Sequence, residues 1–397
     1  MKKGDAMTET KAGNNILFKL LPVMLAFFAM GFVDLVGIAT NYVKKDFGLS
    51  DTTANLFASM VFFWFLVGSV PTGMVMGKIG RRKTVVAGLA VTLAALALPT
   101  VDYGLTVVLA SFCLLGIGNT ILQVSLNPLI AGLIRPEKLS SALTFGQFVK
   151  AIASFIAPVL AAWGAVRYGK WQLLFPIFAV EAAVALLWLA VQKIPEEETS
   201  KRASTFAQCF SLLKDPTVLL CFIGIMCHVG VDVGTNVSAP KVLIEKVGLT
   251  LEQAGYATSV YFLFRTAGCL TGGFLLAKVS NRAFFLFSVF LMAAGASMLA
   301  FCGDKTALTA AVAMIGFGNS NVFSIVLTRA LLHEPAKKNE VSGLMIMGLF
   351  GGTVFPLLMG YASDAVGTQN GAVAVMGVGV VYLICLALRG GDRSAAG

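Results

Sequence analysis

Five ionisable side chains stand inside long apolar runs of this chain: Asp34, Lys150, Glu181, Asp232 and Arg265. In hydrocarbon such a group costs about 2.5–3.5 kcal/mol, so it faces a water-filled cavity or another charge. A carboxylate that alternates between water and a nearby cation changes its proton affinity as it does so, which is what coupling a proton to movement requires. Asp34 and Asp232 are the candidates for that chemistry. His228 lies one turn before Asp232 on the same helix face, where it can exchange a proton with it or serve as a hydrogen-bonded packing residue. The plainer reading of the acids is a pair of static ion pairs, Asp34 with Lys150 and Asp232 with Arg265. Glu181 reads as a structural partner or a boundary residue.

Amides surround these charges in the sequence: Asn119, Gln123, Asn127, Gln147, Asn236, Asn319 and Asn321, with Trp64, Phe148 and Tyr261 as aromatic surfaces. A side chain that both donates and accepts suits the hydroxyls of a sugar, whereas an apolar drug needs few such groups. Asn119 and Asn319 stand beside close-packing glycines and read as bonds between helices, and the three aromatics read as packing. Lys150 decides the charge of the ligand. Unneutralised, it favours an anion such as a sugar acid; neutralised by Asp34, it leaves a site for neutral polyols.

The elements that must position these residues are membrane helices. Hydrophobic residues make up 57% of the chain and charged ones 13%, and the mean hydropathy is +0.84. Apolar runs predict spans near 15–43, 52–77, 84–101, 104–133, 140–166, 172–192, 216–243, 252–277, 283–301, 306–330, 340–362 and 370–388. Ser50 and Thr250 read as N-caps of the second and eighth. Pro71, Pro128, Pro158 and Pro356 fall within spans, where neighbouring helices can satisfy the freed carbonyls. The first apolar run, from about Ile16, is too long for a cleavable signal peptide. Seven scattered cysteines show no disulfide or metal spacing, and His228 and His333 have no Cys or Ser partner at catalytic spacing, so no enzyme, cofactor or metal site is expected. The net charge of +10 gathers in the loops on the side of both termini, as the positive-inside rule requires, and needs no nucleic acid to explain it.

The chain also repeats itself. Segment 68–86, GSVPTGMVMGKIGRRKTVV, aligns with 268–286, GCLTGGFLLAKVSNRAFFL, and Gly116, Gly118 and Asn119 fall on Gly316, Gly318 and Asn319 at the same 200-residue offset. Parallel repeats of about six spans are how one large group of secondary transporters is built.

Residues 73–83, GMVMGKIGRRK, resemble the loop signature G-x-x-x-D-R-x-G-R-[KR]-[KR] of the major facilitator superfamily. Gly73, Gly80, Arg81, Arg82 and Lys83 conform, while the acid is replaced by Gly77 and the next Arg by Lys78. The resemblance implies that this loop grips a neighbouring helix bundle in one gate state, and that the first, second, fourth and fifth helices of each half line a cavity. A narrower similarity, to the fucose/glucose/galactose permease branch, rests on 123–130, QVSLNPLI, 229–233, VGVDV, Phe264-Arg265, 348–353, GLFGGT, and 360–364, GYASD. The glutamate of that branch, a proton carrier and sugar ligand, is Gln123 here. Its N-N-x-N-D cluster is replaced by 32–37, FVDLVG, with Asp34 about one turn from the usual acid.

The sequence therefore predicts an all-α membrane protein of 12 transmembrane helices in two pseudo-symmetric six-helix halves, 1–192 and 216–397, joined by a cytoplasmic linker at 193–215. The expected function is secondary transport of a sugar or similar polar solute by a monomer in the inner membrane, among lipids, with both termini cytoplasmic and protons as the coupling ion. Gln123, Asn127, Gln147, Lys150, Asn236, Trp64 and Asn321 are the expected substrate contacts; Asp232, Asp34 and His228 the coupling groups; Gly73, Gly80, Arg81 and Arg82 the gating loop. A sugar-acid carrier, a multidrug-type exporter and a nontransporting sensor are the alternatives.

Overall fold

Apolar runs bounded by glycine, proline and charge become helices, and the computed structural model describes residues 18–49, 51–194, 204–249 and 251–389. The predicted caps Ser50 and Thr250, and 195–203 of the linker, lie outside the described residues. Twelve spans are described. They are α1 (18–31, a 3-10 turn at Phe32–Leu35, then Val36–Phe47), α2 (Asp51–Ile79), α3 (Arg81–Val101), α4 (Leu105–Ala131), α5 (Leu139–Tyr168) and α6 (Leu174–Val191). After a short helix at Phe206–Ser211 come α7 (Pro216–Val247), α8 (Leu251–Leu275), α9 (Asn281–Phe301), α10 (Lys305–Asn319 and Val322–His333), α11 (Lys338–Met347 and Gly351–Val366) and α12 (Asn370–Leu388). Among the described residues nine of these are long and apolar enough to cross a membrane by length and composition.

Three spans that the apolar pattern presents as continuous are interrupted, each where a neighbour crosses closely. The 3-10 turn of α1 follows Gly31, where a Cβ would collide with the backbone oxygen of Lys150 and lie 2.7 Å from the Cβ of Ala153. In α10 the break falls at Ser320 and Asn321. A Cβ on Gly268 of α8 would lie 2.8 Å from that of Ser320, and Asn321 Nδ2 donates to the Gly268 carbonyl at 3.0 Å. The released carbonyls find partners: Phe317 O accepts from Ser320 Oγ at 2.6 Å and Ser320 O from Cys269 Sγ at 3.3 Å. In α11 the turn at Gly348–Phe350 precedes Gly351, whose Cβ would lie 2.7 Å from the Cα of Met226 in α7.

Local geometry repeats along with the sequence. Gly48 and Gly248, 200 residues apart, end α1 and α7 with φ of 63° and 70°, a left-handed conformation that costs glycine least. Arg82 donates to the carbonyls of Leu189 and Ala190 at the end of α6, and Arg282 to that of Leu388 at the end of α12. In both cases a guanidinium at the start of one helix serves the orphan carbonyls at the end of another.

The chain forms two compact units. One gathers Met1–Arg135, Val149–Cys209 and Lys338–Met347; the other Pro136–Phe148, Phe210–Lys337 and Gly348–Gly397. In the first, Gly73 of α2 and Gly343 let helices meet backbone to backbone: a Cβ would lie 2.7 Å from Asn339 O on the former and 2.8 Å from Ser69 O on the latter. Ser342 Oγ adds a bond to Val124 O at 2.7 Å. In the second, Ser141 Oγ donates to the carbonyl of Gly273, the repeat equivalent of Gly73. At one end of the first unit, Asp46 collects the Tyr103 hydroxyl at 2.8 Å and the Trp171 indole at 2.7 Å, and Tyr42 stacks on Trp171. Burial and this carboxylate both oppose ionisation of the Tyr103 phenol.

The start of α7 carries a pH-dependent cap. Asp215 Oδ1 accepts from Thr217 N at 2.8 Å and Val218 N at 3.0 Å, and His333 Nε2 lies 3.0 Å away. Burial opposes ionisation of this carboxyl, but the amide bonds and the imidazolium outweigh it and hold the pKa below the ordinary carboxylate value. A group depressed in this way contributes stability above the unfolded pKa and loses it as pH falls through the folded one. Amide protection at Thr217 and Val218, followed by hydrogen exchange, should persist from neutral pH down to the ordinary carboxylate range and fall only below it. Loss already well above the carboxylate range would show that ionised Asp215 does not control the cap.

Candidate functional site

In the first unit the site begins at the crossing of α1 and α5. Gly31 brings the two backbones together, so that Asp34, in the 3-10 turn, and Lys150, in α5, project from the same junction. Lys150 Nζ lies 3.4 Å from Asp34 Oδ1. Ser154, one turn beyond Lys150, donates to Asp34 Oδ2 at 2.7 Å, and its oxygen lies 3.2 Å from Gly31 O. Sequence reasoning missed Ser154, although its i+4 spacing from Lys150 was available as a signal. The Asp34 side chain is 39% exposed and that of Lys150 15%, so the pair neutralises itself at a partly wet boundary.

In the second unit, α7, α8 and α10 meet around Asp232. Its Oδ2 lies 3.2 Å from Arg265 Nη1, and its Oδ1 accepts from the Tyr261 hydroxyl. Asn319 Nδ2 donates to that hydroxyl at 3.1 Å, and Asn319 Oδ1 lies 2.7 Å from His228 Nδ1. His228, Asp232, Tyr261 and Asn319 are all buried. His228 and Asp232 do share a helix face, but Asn319 and Tyr261 stand between them in the hydrogen-bond sequence. Their part in it was invisible in the chain because it needs three helices to converge.

The amides divide into bonded and unbonded atoms. Among the described residues, Gln123 Oε1, Asn127 Oδ1, Gln147 Nε2 and Asn236 Oδ1 are buried without a hydrogen-bond partner, as are both ends of Asn119. Asn127 Nδ2 donates to Gln123 O at 2.6 Å and Asn236 Nδ2 to Asp232 O at 2.9 Å, each one turn back along its own helix. A buried donor or acceptor left in this way costs about 1–3 kcal/mol, so each of these atoms calls for a ligand or water. Asn321 is fully buried; its amide nitrogen holds the break in α10 to Gly268, and its Oδ1 likewise has no partner among the described residues. Trp64 stands edge-on to Phe63 at 5.7 Å and lies against the backbone at Gly116. Glu181 keeps both carboxyl oxygens buried with no partner among the described residues.

The loop residues have identifiable contacts. Gly80 adopts φ 96° between α2 and α3, and Arg81, nearly buried, donates from Nε to Asn339 Oδ1 at 2.8 Å within the first unit. The position of the missing acid, Gly77, would place a Cβ 3.9 Å from Asn339 Nδ2. A neutral amide thus takes the guanidinium bond.

Pairing of Asp34 with Lys150 predicts coupled stabilities. Lys150→Met, which strands a carboxylate, should cost about 1–2 kcal/mol of stability, and adding Asp34→Asn should restore most of it. Thermal unfolding of the purified single and double variants measures this; additive losses would show that the pair does not interact.

The sequence matches the Major Facilitator Superfamily over residues 23–328 and again over 221–396. It is 26% identical over 381 residues to a glucose/galactose transporter of Brucella abortus, covering 91% of each chain. The crystal structure of the E. coli fucose:proton symporter superposes with a TM-score of 0.80 at 16% identity, over 94% of this chain and 98% of that one. A proton:xylose symporter bound to 6-bromo-6-deoxy-D-glucose gives 0.70 at 15% identity, over 94% and 95%. With both its repeats and its twelve spans accounted for, the chain belongs to the Major Facilitator Superfamily of membrane transporters.

Proposed function

We propose that the chain moves a neutral sugar across the cytoplasmic membrane by alternating access, in symport with a proton. The observation that carries this reading is the Asp34–Lys150 pair. With the lysine neutralised, Gln123, Asn127, Gln147 and Asn236 each offer a buried, uncharged polar atom without a partner among the described residues, and such atoms suit hydroxyls. A sugar acid would need a cation that Asp34 does not already hold. The relatives named above, a glucose/galactose transporter and sugar:proton symporters, support the same substrate class.

In this reading residues 1–192 and 216–397 act as the two halves, with 193–215 as a cytoplasmic linker, both termini in the cytoplasm, and the monomer as the working unit among lipids. Arg81 and Arg82, with Gly73 and Gly80, form the gating loop. Gln123 cannot titrate, so the proton rides on Asp232 or Asp34. Asp232 is favoured because its segment, VGVDV, keeps the acidic position of the permease branch, whereas Asp34 stands about one turn from the usual acid; both acids are paired, Asp34 with Lys150 and Asp232 with Arg265. Substrate contacts are assigned, residue by residue, to Gln123, Asn127, Gln147, Asn236, Trp64 and Lys150. Asn321 contributes through the shape of α10.

Uptake by proteoliposomes tests the function directly: glucose, galactose or fucose should accumulate under an inward proton gradient, and glucuronate should not. Accumulation of the uronate alone would reverse the substrate assignment, and ligand binding with no flux of any solute would make the chain a sensor. Gln123→Ala or Gln147→Ala should weaken sugar binding by about 1–3 kcal/mol; unchanged affinity in both would remove the sugar from these helices. Asp232→Asn should retain sugar exchange between equal pools while losing accumulation driven by the pH gradient. If Asp34→Asn alone uncouples transport, α1 carries the proton.

A further inference from the structure

The hydrogen bonds around Asp232 have only one workable direction. Asn319 Nδ2 faces two groups, the backbone carbonyl of His228 at 3.3 Å and the Tyr261 oxygen at 3.1 Å. A carbonyl can only accept, so the nitrogen belongs on that side; turning the amide over would set oxygen against oxygen. Asn319 Oδ1 is then the acceptor at 2.7 Å from His228 Nδ1, which must carry a proton. The Tyr261 oxygen receives from Asn319, and its single proton goes to Asp232 Oδ1. Asp232 Oδ2 faces Arg265, which can only donate. Donors therefore stand at both carboxylate oxygens, and this arrangement suits an ionised Asp232.

We infer that Tyr261, Asn319 and His228 form a clamp that reserves Asp232 Oδ1, so that the coupling proton binds at Oδ2 and does so by displacing Arg265. This rests on the reading of Asp232 as the proton carrier. A proton arriving at Oδ1 would leave the Tyr261 hydroxyl donating to a neutral carboxyl O–H oxygen, a far weaker acceptor than the ionised one, while its other neighbour, Asn319 Nδ2, is itself a donor. Relief would require Asn319 to flip against the His228 carbonyl and His228 to move its ring proton, all inside a buried chain. At Oδ2 only the Arg265 side chain has to shift, and it is 28% exposed. The step balances simply: a hydronium ion gives its proton to an Oδ2 lone pair and leaves as water, the carboxylate becomes neutral, and Arg265 keeps its charge. Protonation of α7 and release of a cation on α8 thus become one event.

No other charged or titratable group faces the acid among the described contacts of the helices packed on α7. Phe355 and Met359 of α11 approach it at Gly230 and Gly234, Met376 of α12 at Thr235, and Phe323 of α10 lies against the His228 ring. The clamp is also particular to the second repeat. Asn119 matches Asn319, but the positions 200 residues before His228 and Tyr261 are Phe28 and Val61, and both ends of the Asn119 amide lack partners. The clamp thus goes beyond what the duplicated asparagine supplies by itself.

The test is the pH profile of gradient-driven sugar uptake, with each variant normalised to its own exchange rate. Tyr261→Phe removes the donor and opens Oδ1, so the half-maximal pH should move upward by about one unit, a tenfold gain in proton affinity. Asn319→Leu breaks the same chain one link earlier and should move the profile in the same direction, with no further movement in the double variant. Either single variant suffices if the other does not fold. A wild-type profile in a folded, exchanging Tyr261→Phe or Asn319→Leu protein overturns the clamp. Asp232→Asn separates the two readings: if it still accumulates sugar, Asp232 is not the carrier, whereas an uncoupled Asp232→Asn beside a wild-type Tyr261→Phe profile rejects the clamp alone.

Discussion

A bilayer gives a charged side chain no water to lean on, and the placement of the intramembrane charges follows from that penalty. Asp34 has Lys150 and Ser154; Asp232 has Arg265 and Tyr261. The first pair sits where two helices approach closely, and close approach requires a small residue at the crossing. Gly31 supplies it for α1 on α5. Helix packing in such a chain gains little from hydrophobicity, because lipid tails are as apolar as leucine, so glycines and satisfied polar groups carry the specificity. The 3-10 turn that presents Asp34 and the break in α10 beside Asn319 and Asn321 are local costs accepted at those crossings.

Duplication explains why the same devices recur. The positive-φ glycines at 48 and 248, the helix-end guanidiniums of Arg82 and Arg282, and the contact glycines at 73 and 273 are pairs built from one ancestral set. The charged sites have diverged more than this scaffold. The first unit pairs its acid with a lysine on α5, the second with an arginine on α8 and a chain of hydrogen bonds that its counterpart lacks. Divergence in the charges with constancy in the glycines is expected when packing is common to both repeats and chemistry is not.

Much of the fold was legible because its signals are local. Apolar runs located the spans, and the aligned glycines exposed the repeat. The Asp34–Lys150 and Asp232–Arg265 pairs were among the readings open from the sequence, since few charges were available to satisfy one another. The breaks in α10 and α11 were not legible: Ser320, Asn321 and Gly348 lie in runs whose composition suits a continuous helix, and only the crossings of α8 and α7 divide them. The boundary between the two units cuts α5 in mid-helix, between Phe148 and Val149, where no change of composition marks it, and divides α11 at its break before Gly348. Asn319 and Tyr261 looked like packing residues one at a time. Their role emerges only when α7, α8 and α10 are brought together.

The account centres on a neutral sugar whose passage is tied to a proton, and sugar-driven proton movement tests that most directly. Proteoliposomes holding the wild-type protein, weakly buffered and with no imposed gradient, should show alkalinisation of the outer medium when glucose, galactose or fucose is added outside. Proton uptake should match sugar uptake in constant proportion. Sugar entering at full rate with no change in external pH would contradict the account.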